Sequence, residues 1–246
     1  MGVIINELFH SIQGEGLFSG IPTIFIRTTG CDLRCTWCDT TYAFEEGEEL
    51  DIGTLLIRVS DLSEKHGHRN ICLTGGEPLI QNDVPLLLST LLADSYIVTL
   101  ETNGSQSIAS LLQAIHNQTS DQENEMERGE RFMELRERLH ISLDIKCPGS
   151  GESNAMNLRN LNLLSDMDQL KFVVKDMEDM MFAFDVLKEN PVFCPSIFQP
   201  VTMDRDGEHI SLEALATTFL DLHPGYLDAR FMLQTHRIIW GDRRGV

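Results

Sequence analysis

Three closely spaced cysteines are the residues of this chain with the clearest chemical potential. Cys31, Cys35 and Cys38 fall within eight residues, at spacings of four and then three. Thiolates are soft ligands that favour iron–sulfur clusters, zinc or Cu(I), and a loop this short can direct three of them at one point. A structural zinc site normally takes four protein ligands. Three ligands in one loop instead favour a four-iron cluster with one iron left open to bind another molecule.

Two other interpretations of the loop stay open at this point. Free cysteines often pack as small apolar side chains in a core, and a structural zinc or a redox loop also uses closely spaced cysteines. The charged neighbours Asp32 and Asp39 argue against a core position. The other cysteines, Cys72, Cys147 and Cys194, are scattered singly, so the sequence offers no obvious fourth zinc ligand.

The Cys-x3-Cys-x2-Cys spacing, with the aromatic Trp37 before the last cysteine, resembles the signature of the radical S-adenosylmethionine (radical SAM) enzymes. The resemblance implies that the open iron binds the amino and carboxylate groups of the methionine moiety. One electron from the cluster would then cleave the sulfonium to a 5′-deoxyadenosyl radical. In such enzymes the cofactor carries the chemistry, while the protein positions it and excludes water.

Strands and helices that must position this loop alternate along the chain. Apolar and β-branched runs predict strands at 3–9, 22–29, 70–74, 97–100, 140–146, 170–174, 193–201 and 229–233. Apolar residues at helical spacing predict helices around 55–62, 84–93, 108–115, 177–184 and 212–219. The alternation predicts an α/β fold with a parallel sheet, in a single domain covering 1–246. The charged stretch 117–138, with its thin apolar stripe, is interpreted as a surface insertion within that domain.

Polar clusters stand at or just after the ends of six predicted strands. They are 31–40, 74–78, 101–104, 144–149, 199–200 and 234–236. Barrels and open α/β sheets build their sites at that edge. The sequence therefore predicts one site there, and the resemblance makes the expected fold a partial (β/α) TIM-like barrel of the radical SAM type.

Composition narrows the expected partners and location. The chain has 246 residues, with 19 Lys plus Arg against 38 Asp plus Glu, so its net charge is −19. Binding a nucleic-acid backbone needs clustered cations, so a small-molecule partner is expected and no nucleic acid. Six cysteines without a secretory signal predict a reducing, cytoplasmic location. The longest apolar run, 84–88, is too short for a membrane span.

Several motifs together resemble the 7-carboxy-7-deazaguanine synthase family, which acts in the queuosine and archaeosine pathways. The matching segments are 9–16, 25–27, 31–40, 74–78, 101–104 and 234–237. The Gln13-Gly14-Glu15-Gly16 element and Asp39-Thr40 are the more specific ones, although spacing alone predicts an ordinary turn at 13–16. The resemblance implies conversion of 6-carboxy-5,6,7,8-tetrahydropterin to 7-carboxy-7-deazaguanine. The conversion would proceed through hydrogen abstraction at C6, ring contraction and loss of ammonia. S-adenosylmethionine would be regenerated at the end.

The resemblance also implies roles for individual residues, none of them a protein catalytic group, since the radical forms on the cofactor. The cluster ligands would be Cys31, Cys35 and Cys38. S-adenosylmethionine would be contacted by Trp37, Cys38, Asp39, Gly76 and Glu77. The pterin would be contacted by Ile12, Gln13, Gly14, Arg27 and Thr74. Thr40 would give its hydroxyl to Mg²⁺, a hard ion that keeps its waters and takes few protein ligands.

Arg27 makes physical sense as a ligand for a substrate carboxylate. Its guanidinium offers a planar fork that matches a carboxylate in a bidentate manner. It shares one face of a strand with Phe25, while Ile24 and Ile26 take the other face. The alternative is a structural ion pair inside the barrel.

One segment departs from the resemblance. Many members of the family carry Ser-Pro-Lys where this chain has Asp144-Ile145-Lys146. An Asp-x-Lys at that strand end also occurs in activating enzymes for glycyl-radical proteins. Asp144 and Lys146 are kept as predicted contacts of S-adenosylmethionine. Gln234 and His236 are predicted to cap the pterin from the last strand.

Two competing functions remain from the sequence. One is a glycyl-radical activating enzyme, which would need a docking surface for a large protein. The other is a non-catalytic iron–sulfur or zinc module, which would not need Arg27 or the Gly75-Gly76-Glu77-Pro78 turn. For the preferred function, the resemblance implies a flavodoxin- or ferredoxin-like electron donor and a homodimer.

Overall fold

Nine strands form one mixed sheet in the computed structural model, which describes residues 1–118, 125–201, 211–225 and 227–246. The strands are β1 (Gly2–Ile12), β2 (Pro22–Thr28), β3 (Glu48–Asp51), β4 (Asn70–Gly75), β5 (Ile97–Thr102), β6 (Leu139–Lys146), β7 (Gln169–Val174), β8 (Ser196–Pro200) and β9 (Ala229–Phe231). In the described residues their order is β3-β1-β2-β4-β5-β6-β7-β8-β9. β1 is antiparallel to β2 and β3, whereas the other neighbouring pairs are parallel.

Helices connect most of the parallel strands. They are α1 (Ile52–His66), α2 (Val84–Ala93), α3 (Ile108–Gln118), α4 (Glu125–Arg136), α5 (Met177–Glu189), α6 (Leu212–Leu222) and α7 (Thr235–Trp240). Between β6 and β7 the chain instead makes short 3-10 turns. The alternation confirms the predicted α/β fold, and the linear strand order makes it an open, partial barrel. No helix in the described ranges is long and apolar enough to cross a bilayer.

An apolar layer between the sheet and the helices forms the core. Ile24 and Ile26 of β2, and Ile71 and Leu73 of β4, are each at most 1% exposed and belong to the same cluster as Leu55 of α1. Side chains alternate between the faces of a strand, so the residues between them must point to the inside of the barrel. The sheet therefore separates a dry outer layer from a polar interior.

The structure revises several predicted boundaries. β1 continues to Ile12, three residues beyond the predicted end, and β9 stops at Phe231. β3 was not predicted, because three of its four residues are acidic and only Leu50 is buried. An edge strand pairs on one side only, so it can form without an apolar pattern.

The described residues cover part of the predicted insertion at 117–138. Asn117 belongs to α3, and residues 119–124 lie outside the described residues. α4 covers most of the remainder, but its last turn is not solvated as predicted, because Leu135 and Arg136 are buried. Arg136 donates a hydrogen bond to the Asp168 carboxylate, which fastens the end of α4 to the residue just before β7.

We expect the apolar layer between the sheet and the helices to contribute most of the free energy of unfolding. Ile71→Ala should lower the free energy of unfolding by about 2–5 kcal/mol, because it removes buried methyl groups and leaves a cavity. The matched control is Ile57→Ala on α1, where the isoleucine is 65% exposed and the change should stay within roughly 0.5 kcal/mol. Urea denaturation monitored by circular dichroism measures both variants. Equal losses in the two would contradict this placement of the core.

Candidate active site

A cavity of about 240 Å³ opens at the carboxyl ends of the parallel strands and extends into the barrel. All six predicted polar clusters contribute to its lining. From the cysteine loop come Cys31, Cys35, Trp37, Cys38, Asp39 and Thr40. From the ends of β4 and β6 come Thr74, Gly76, Asp144 and Lys146. The residues predicted to contact the pterin also line it: Ile12, Gln13, Gly14, Arg27, Gln234 and His236.

The cysteine loop is anchored to the turn that follows β6. Thr36 donates through its backbone N–H to the carbonyl oxygen of Ser150 at 3.0 Å, and through its hydroxyl to that of Gly149 at 2.9 Å. The N–H of Arg34 donates to the Glu152 carboxylate at 2.7 Å. These contacts hold a loop without helix or strand of its own in a defined position above the cavity.

The three thiols fit a soft-metal cluster by their type and placement. They are cysteines of intermediate burial on one wall of the cavity, and none of them is in a disulfide. Burial raises the pKa of Cys31 and of Cys35, so these groups stay protonated until a metal takes the place of the proton. Among the described residues, no group of three His, Cys, Asp or Glu side chains is arranged to hold a single ion. The fit therefore rests on three soft donors that share one wall.

Gly76 lets the end of β4 pass directly beneath the cysteine loop. A Cβ atom at this position would lie 2.1 Å from the carbonyl oxygen of Gly30 and 2.8 Å from Cβ of Cys31. Both are closer than van der Waals contact allows, so only glycine permits this approach. The backbone at 75–77 is thereby brought within reach of a group bound by the cysteines.

Arg27 combines the two interpretations that the sequence left open. Its Nε donates to Glu7 Oε2 at 3.0 Å, so it makes a structural ion pair, and it also lines the cavity. No described residue accepts a hydrogen bond from its terminal nitrogens. Tyr42 donates to the same Glu7 oxygen at 3.1 Å. Glu7 thus fixes the orientation of the guanidinium while its fork still faces the cavity.

The polar loop after β1 is not the ordinary turn that spacing predicts. Ile12 pairs with Pro22, so the loop lies at the amino end of β2. From there the N–H of Leu17 reaches the side-chain oxygen of Gln169, the first residue of β7, at 2.8 Å. Gly16 has a φ of +63° and packs against the same glutamine. The loop therefore crosses beneath the barrel and closes the bottom of the cavity.

Glu101 at the end of β5 collects polar side chains from two sides of the cavity. Its Oε1 accepts from Gln13 Nε2 at 3.1 Å, and its Oε2 accepts from the Thr74 hydroxyl at 2.8 Å. Both donors are predicted pterin contacts. Glu101 lies in a predicted polar cluster but was not assigned a role from the sequence, because nothing local shows that it meets Gln13.

Known proteins agree with this architecture. Residues 25–145 match the model of the radical SAM superfamily. The 7-carboxy-7-deazaguanine synthase of Thermoplasma acidophilum is 33% identical over 99% of this chain and 100% of its own length. That of Clostridium acetobutylicum is 32% identical over 100% of both chains. This chain belongs to the 7-carboxy-7-deazaguanine synthase family.

Solved structures support the fold of this family member. The crystal structure of QueE from Escherichia coli superposes with a TM-score of 0.62 at 20% identity, over 96% of this chain and 95% of that one. Streptococcus suis SuiB bound to S-adenosylmethionine gives a TM-score of 0.56 at 13% identity, over 83% of this chain and 48% of that one. At such identities the likeness concerns the fold, and it confirms the predicted radical SAM architecture.

Glu77 is the predicted site residue that the structure places away from the cavity. Its side chain is completely buried and does not line the cavity wall. The carboxylate accepts hydrogen bonds from the N–H of Asn103 at 2.6 Å, the N–H of Leu79 at 3.0 Å and the Thr102 hydroxyl at 2.8 Å. Glu77 therefore positions the backbone around the site, and its side chain does not face a bound cofactor.

Four charged side chains form a row of ion pairs across the cavity. Only two of them were assigned a role from the sequence. Lys146 Nζ lies 2.6 Å from Asp144 Oδ2, Lys171 Nζ lies 3.2 Å from Asp144 Oδ1, and Lys171 Nζ also lies 2.6 Å from Glu15 Oε2. Glu15 and Lys171 were missed. The sequence did contain a signal for Lys171, because it is a charged residue in the otherwise apolar strand β7. Arg27 has the same kind of position in β2.

Thr40 and Asp39 stand side by side on the cavity wall. The Thr40 hydroxyl donates to Asp39 Oδ1 at 2.7 Å. An oxygen pair of this kind suits a hard cation that keeps part of its water shell.

The first residues of α7 pack against the loop after β1. The N–H of Thr235 donates to the carbonyl oxygen of Gly14 at 2.8 Å, and Gln234 Nε2 donates to Glu15 Oε1 at 2.8 Å. A Cβ at Gly14 would lie 2.3 Å from Nδ1 of His236. The prediction placed Gln234 and His236 on the last strand. In the structure they instead lie at the start of α7 and reach the cavity from there.

We expect Glu77 to make stability depend on pH. Burial raises the pKa of Glu77 from 4.5 to about 7, although its three hydrogen-bond donors partly oppose the shift. The folded state then holds a proton that the unfolded chain releases, so stability present below pH 4.5 is lost as the pH rises towards 7.

Glu77→Gln removes this titration. Relative to the wild type, the variant should gain unfolding free energy between pH 4.5 and 7, by roughly 1.4 kcal/mol for each unit of the pKa shift. Urea titrations at several pH values measure the difference, and Glu64→Gln, an exposed glutamate on α1, is the control. A difference that does not change with pH would contradict the burial of an ionisable Glu77.

Proposed function

We propose that this chain converts 6-carboxy-5,6,7,8-tetrahydropterin to 7-carboxy-7-deazaguanine. Membership of the family supports the reaction class. The observation that carries the assignment to this site is that one cavity has the three cysteines on one wall and the oriented fork of Arg27 inside the barrel. Hydrogen abstraction from a carboxylated substrate requires the cluster and the group that binds the carboxylate to lie in the same cavity.

The cofactor end would be built by the cysteine loop. Cys31, Cys35 and Cys38 would hold a four-iron cluster. When bound, that cluster and S-adenosylmethionine supply the hydrogen-abstracting radical. The closely approaching backbone at Gly76 would bind the methionine moiety, which takes hydrogen bonds through its amino and carboxylate groups. Further contacts of the same cofactor would come from Trp37, Asp39, Asp144 and Lys146.

The substrate end would be built around Arg27. The ion pair with Glu7 uses Nε, so the two terminal nitrogens can bind the substrate carboxylate in a bidentate manner. Glu101 accepts one hydrogen bond on each oxygen from Gln13 and Thr74. Each carboxylate oxygen has a second lone pair, so Glu101 can also accept from the ring N–H groups of a pterin. Ile12, Gly14, Gln234 and His236 would complete the pocket.

Water must be kept from the reacting centre, and the loop after β1 serves this purpose. It closes the amino end of the barrel through Gly16 and Leu17, which pack on Gln169. Excluding water protects a reactive intermediate from side reactions. All these contributions come from one sheet, which supports a single functional domain over 1–246.

Anaerobic reconstitution tests the proposal directly. The chain is loaded with iron and sulfide, reduced with dithionite, and incubated with S-adenosylmethionine and the carboxypterin. We expect 7-carboxy-7-deazaguanine to form, as followed by mass spectrometry. Cys35→Ala should lose both the cluster absorbance and the product, and Cys194→Ala, a buried cysteine outside the cavity, is the control. Cofactor cleavage without conversion of the pterin would refute the proposed substrate.

Arg27 supplies a second, independent test of the substrate end. Arg27→Gln should raise KM for the carboxypterin by about 10- to 10²-fold, because a charge-assisted contact is worth roughly 1.5–3 kcal/mol. The variant should still cleave S-adenosylmethionine in the absence of pterin. If KM stays at the wild-type value, Arg27 is a structural ion-pair residue only.

We further infer that Mg²⁺ binds at Thr40, supported by the Thr40–Asp39 oxygen pair on the cavity wall. Thr40→Val keeps the shape and removes the oxygen. It should weaken the activation of turnover by Mg²⁺, measured as rate against metal concentration, with Thr41→Val as the neighbouring control. An unchanged metal response would remove Thr40 from the metal site.

The electron donor and the self-association are also proposals that rest on the family resemblance. A flavodoxin- or ferredoxin-like protein would reduce the cluster, and two copies of the chain would associate. Sedimentation velocity tests the second point, and a single species at the monomer mass would refute it.

A further inference from the structure

Lys171 lies between the two ends of the cavity and has no role in the function proposed so far. It is in β7, is 5% exposed, and its Nζ lies 2.6 Å from Glu15 Oε2 and 3.2 Å from Asp144 Oδ1. An isolated cation would be strongly penalised at such a site, because burial removes its hydration. Both partners line the cavity, Glu15 from the loop after β1 and Asp144 from β6.

The first partner, Glu15, is part of the loop that closes the pterin end. Its second oxygen accepts a hydrogen bond from Gln234 Nε2 at 2.8 Å, so the carboxylate also fastens the loop to the start of α7. The next residue, Gly16, packs against Gln169, two residues before Lys171 on the same strand. β7 therefore holds this loop through two contacts. One is the neutral contact with Gln169, and the other is the ion pair of Lys171 with Glu15.

The second partner, Asp144, is at the cofactor end. Asp144 and Lys171 face each other in the parallel register of β6 and β7. The other oxygen of Asp144 lies 2.6 Å from Lys146 Nζ. The four charges alternate in sign along the row Lys146, Asp144, Lys171 and Glu15, so the row as a whole is neutral.

The charge on Lys171 is secure in this environment. Burial alone would lower the pKa of Lys171, but the carboxylates of Asp144, Glu15 and Glu101 raise it well above its ordinary value. The lysine therefore remains an ammonium ion, which donates a hydrogen bond to Glu15 and forms an ion pair with Asp144. The other titratable groups that act on this row are Glu101 beside Lys171, Cys35 beside Lys146 and His236 beside Glu15.

We propose that Lys171 is a positioning residue that sets the pterin-binding loop against the S-adenosylmethionine-binding strand end. This inference rests on the proposed function. Hydrogen abstraction needs the two reacting atoms in near-attack contact, and small displacements are costly. A bridge of one buried ammonium between the two binding ends fixes their separation. Loss of the bridge should separate cofactor cleavage from substrate conversion and should not simply slow both.

The decisive variant is Lys171→Met, which keeps the length of the side chain and removes its charge. We expect it to weaken binding of the carboxypterin to the unreconstituted protein at least about tenfold, equivalent to ~1.4 kcal/mol, by calorimetry. In the reconstituted enzyme the ratio of 5′-deoxyadenosine to deazaguanine product should rise, because cleaved cofactor is no longer regenerated in each turnover. Lys171→Arg should restore part of both, and Lys188→Met, an exposed lysine on α5, is the control.

The double variant Lys171→Met/Glu15→Gln separates bridging from charge balance. It is neutral again and leaves the Asp144–Lys146 pair intact. We expect its free energy of unfolding to recover towards the wild-type value, while pterin affinity and the product ratio stay impaired. Recovery of all three would reduce Lys171 to a counter-charge and overturn the positioning role.

The remaining outcomes are also distinguishable. A wild type that makes deazaguanine beside a Lys171→Met variant with unchanged affinity and product ratio overturns this inference and leaves the proposed function standing. A wild type that makes no deazaguanine overturns the proposed function and this inference with it.

Discussion

The buried Glu77 is the point on which the geometry of the site depends. Its backbone N–H donates to the carbonyl oxygen of Gly30 at 2.8 Å, which holds the segment entering the cysteine loop. Its carboxylate accepts from Thr102 and from the N–H of Asn103, which holds the end of β5. One residue thereby fastens the ends of β2, β4 and β5 together. Because a buried carboxylate must have its donors, none of these segments can move without breaking hydrogen bonds that water cannot replace.

Most of the site could be predicted because its signals are local. The spacing of the cysteines lies within eight residues, and the polar clusters mark the ends of strands that the apolar pattern already reveals. Parallel strands bring their carboxyl ends to one edge, so the clusters had to meet once the topology was known. The role of Arg27 was implied by the family resemblance, and its position as a charge in an otherwise apolar strand agreed with that role.

What could not be predicted depends on pairings between distant residues. Lys171 and Glu15 are separated by 156 positions, and nothing near either one names the other. The loop at 13–16 has the composition of a simple turn, and its passage beneath the barrel depends on Gln169. The side chain of Glu77 was expected at the cofactor because its motif is at the strand end, but backbone donors draw it into the interior. The sequence determines these contacts only through the complete fold.

In the part of the chain that the structure describes, the two edge strands β3 and β9 do not pair with each other. α7 lies against the loop after β1, through Thr235 on Gly14, and Arg244 further along the chain pairs with Glu7 and Glu46. A seam between two strands opens only if a whole ladder of backbone bonds is broken, whereas this seam is held largely by side chains. Opening the barrel here would therefore break fewer backbone hydrogen bonds than opening it between two paired strands. The position of Glu7, between Arg244 on the outside and Arg27 within, means that such an opening would be transmitted directly to the group that receives the carboxylate.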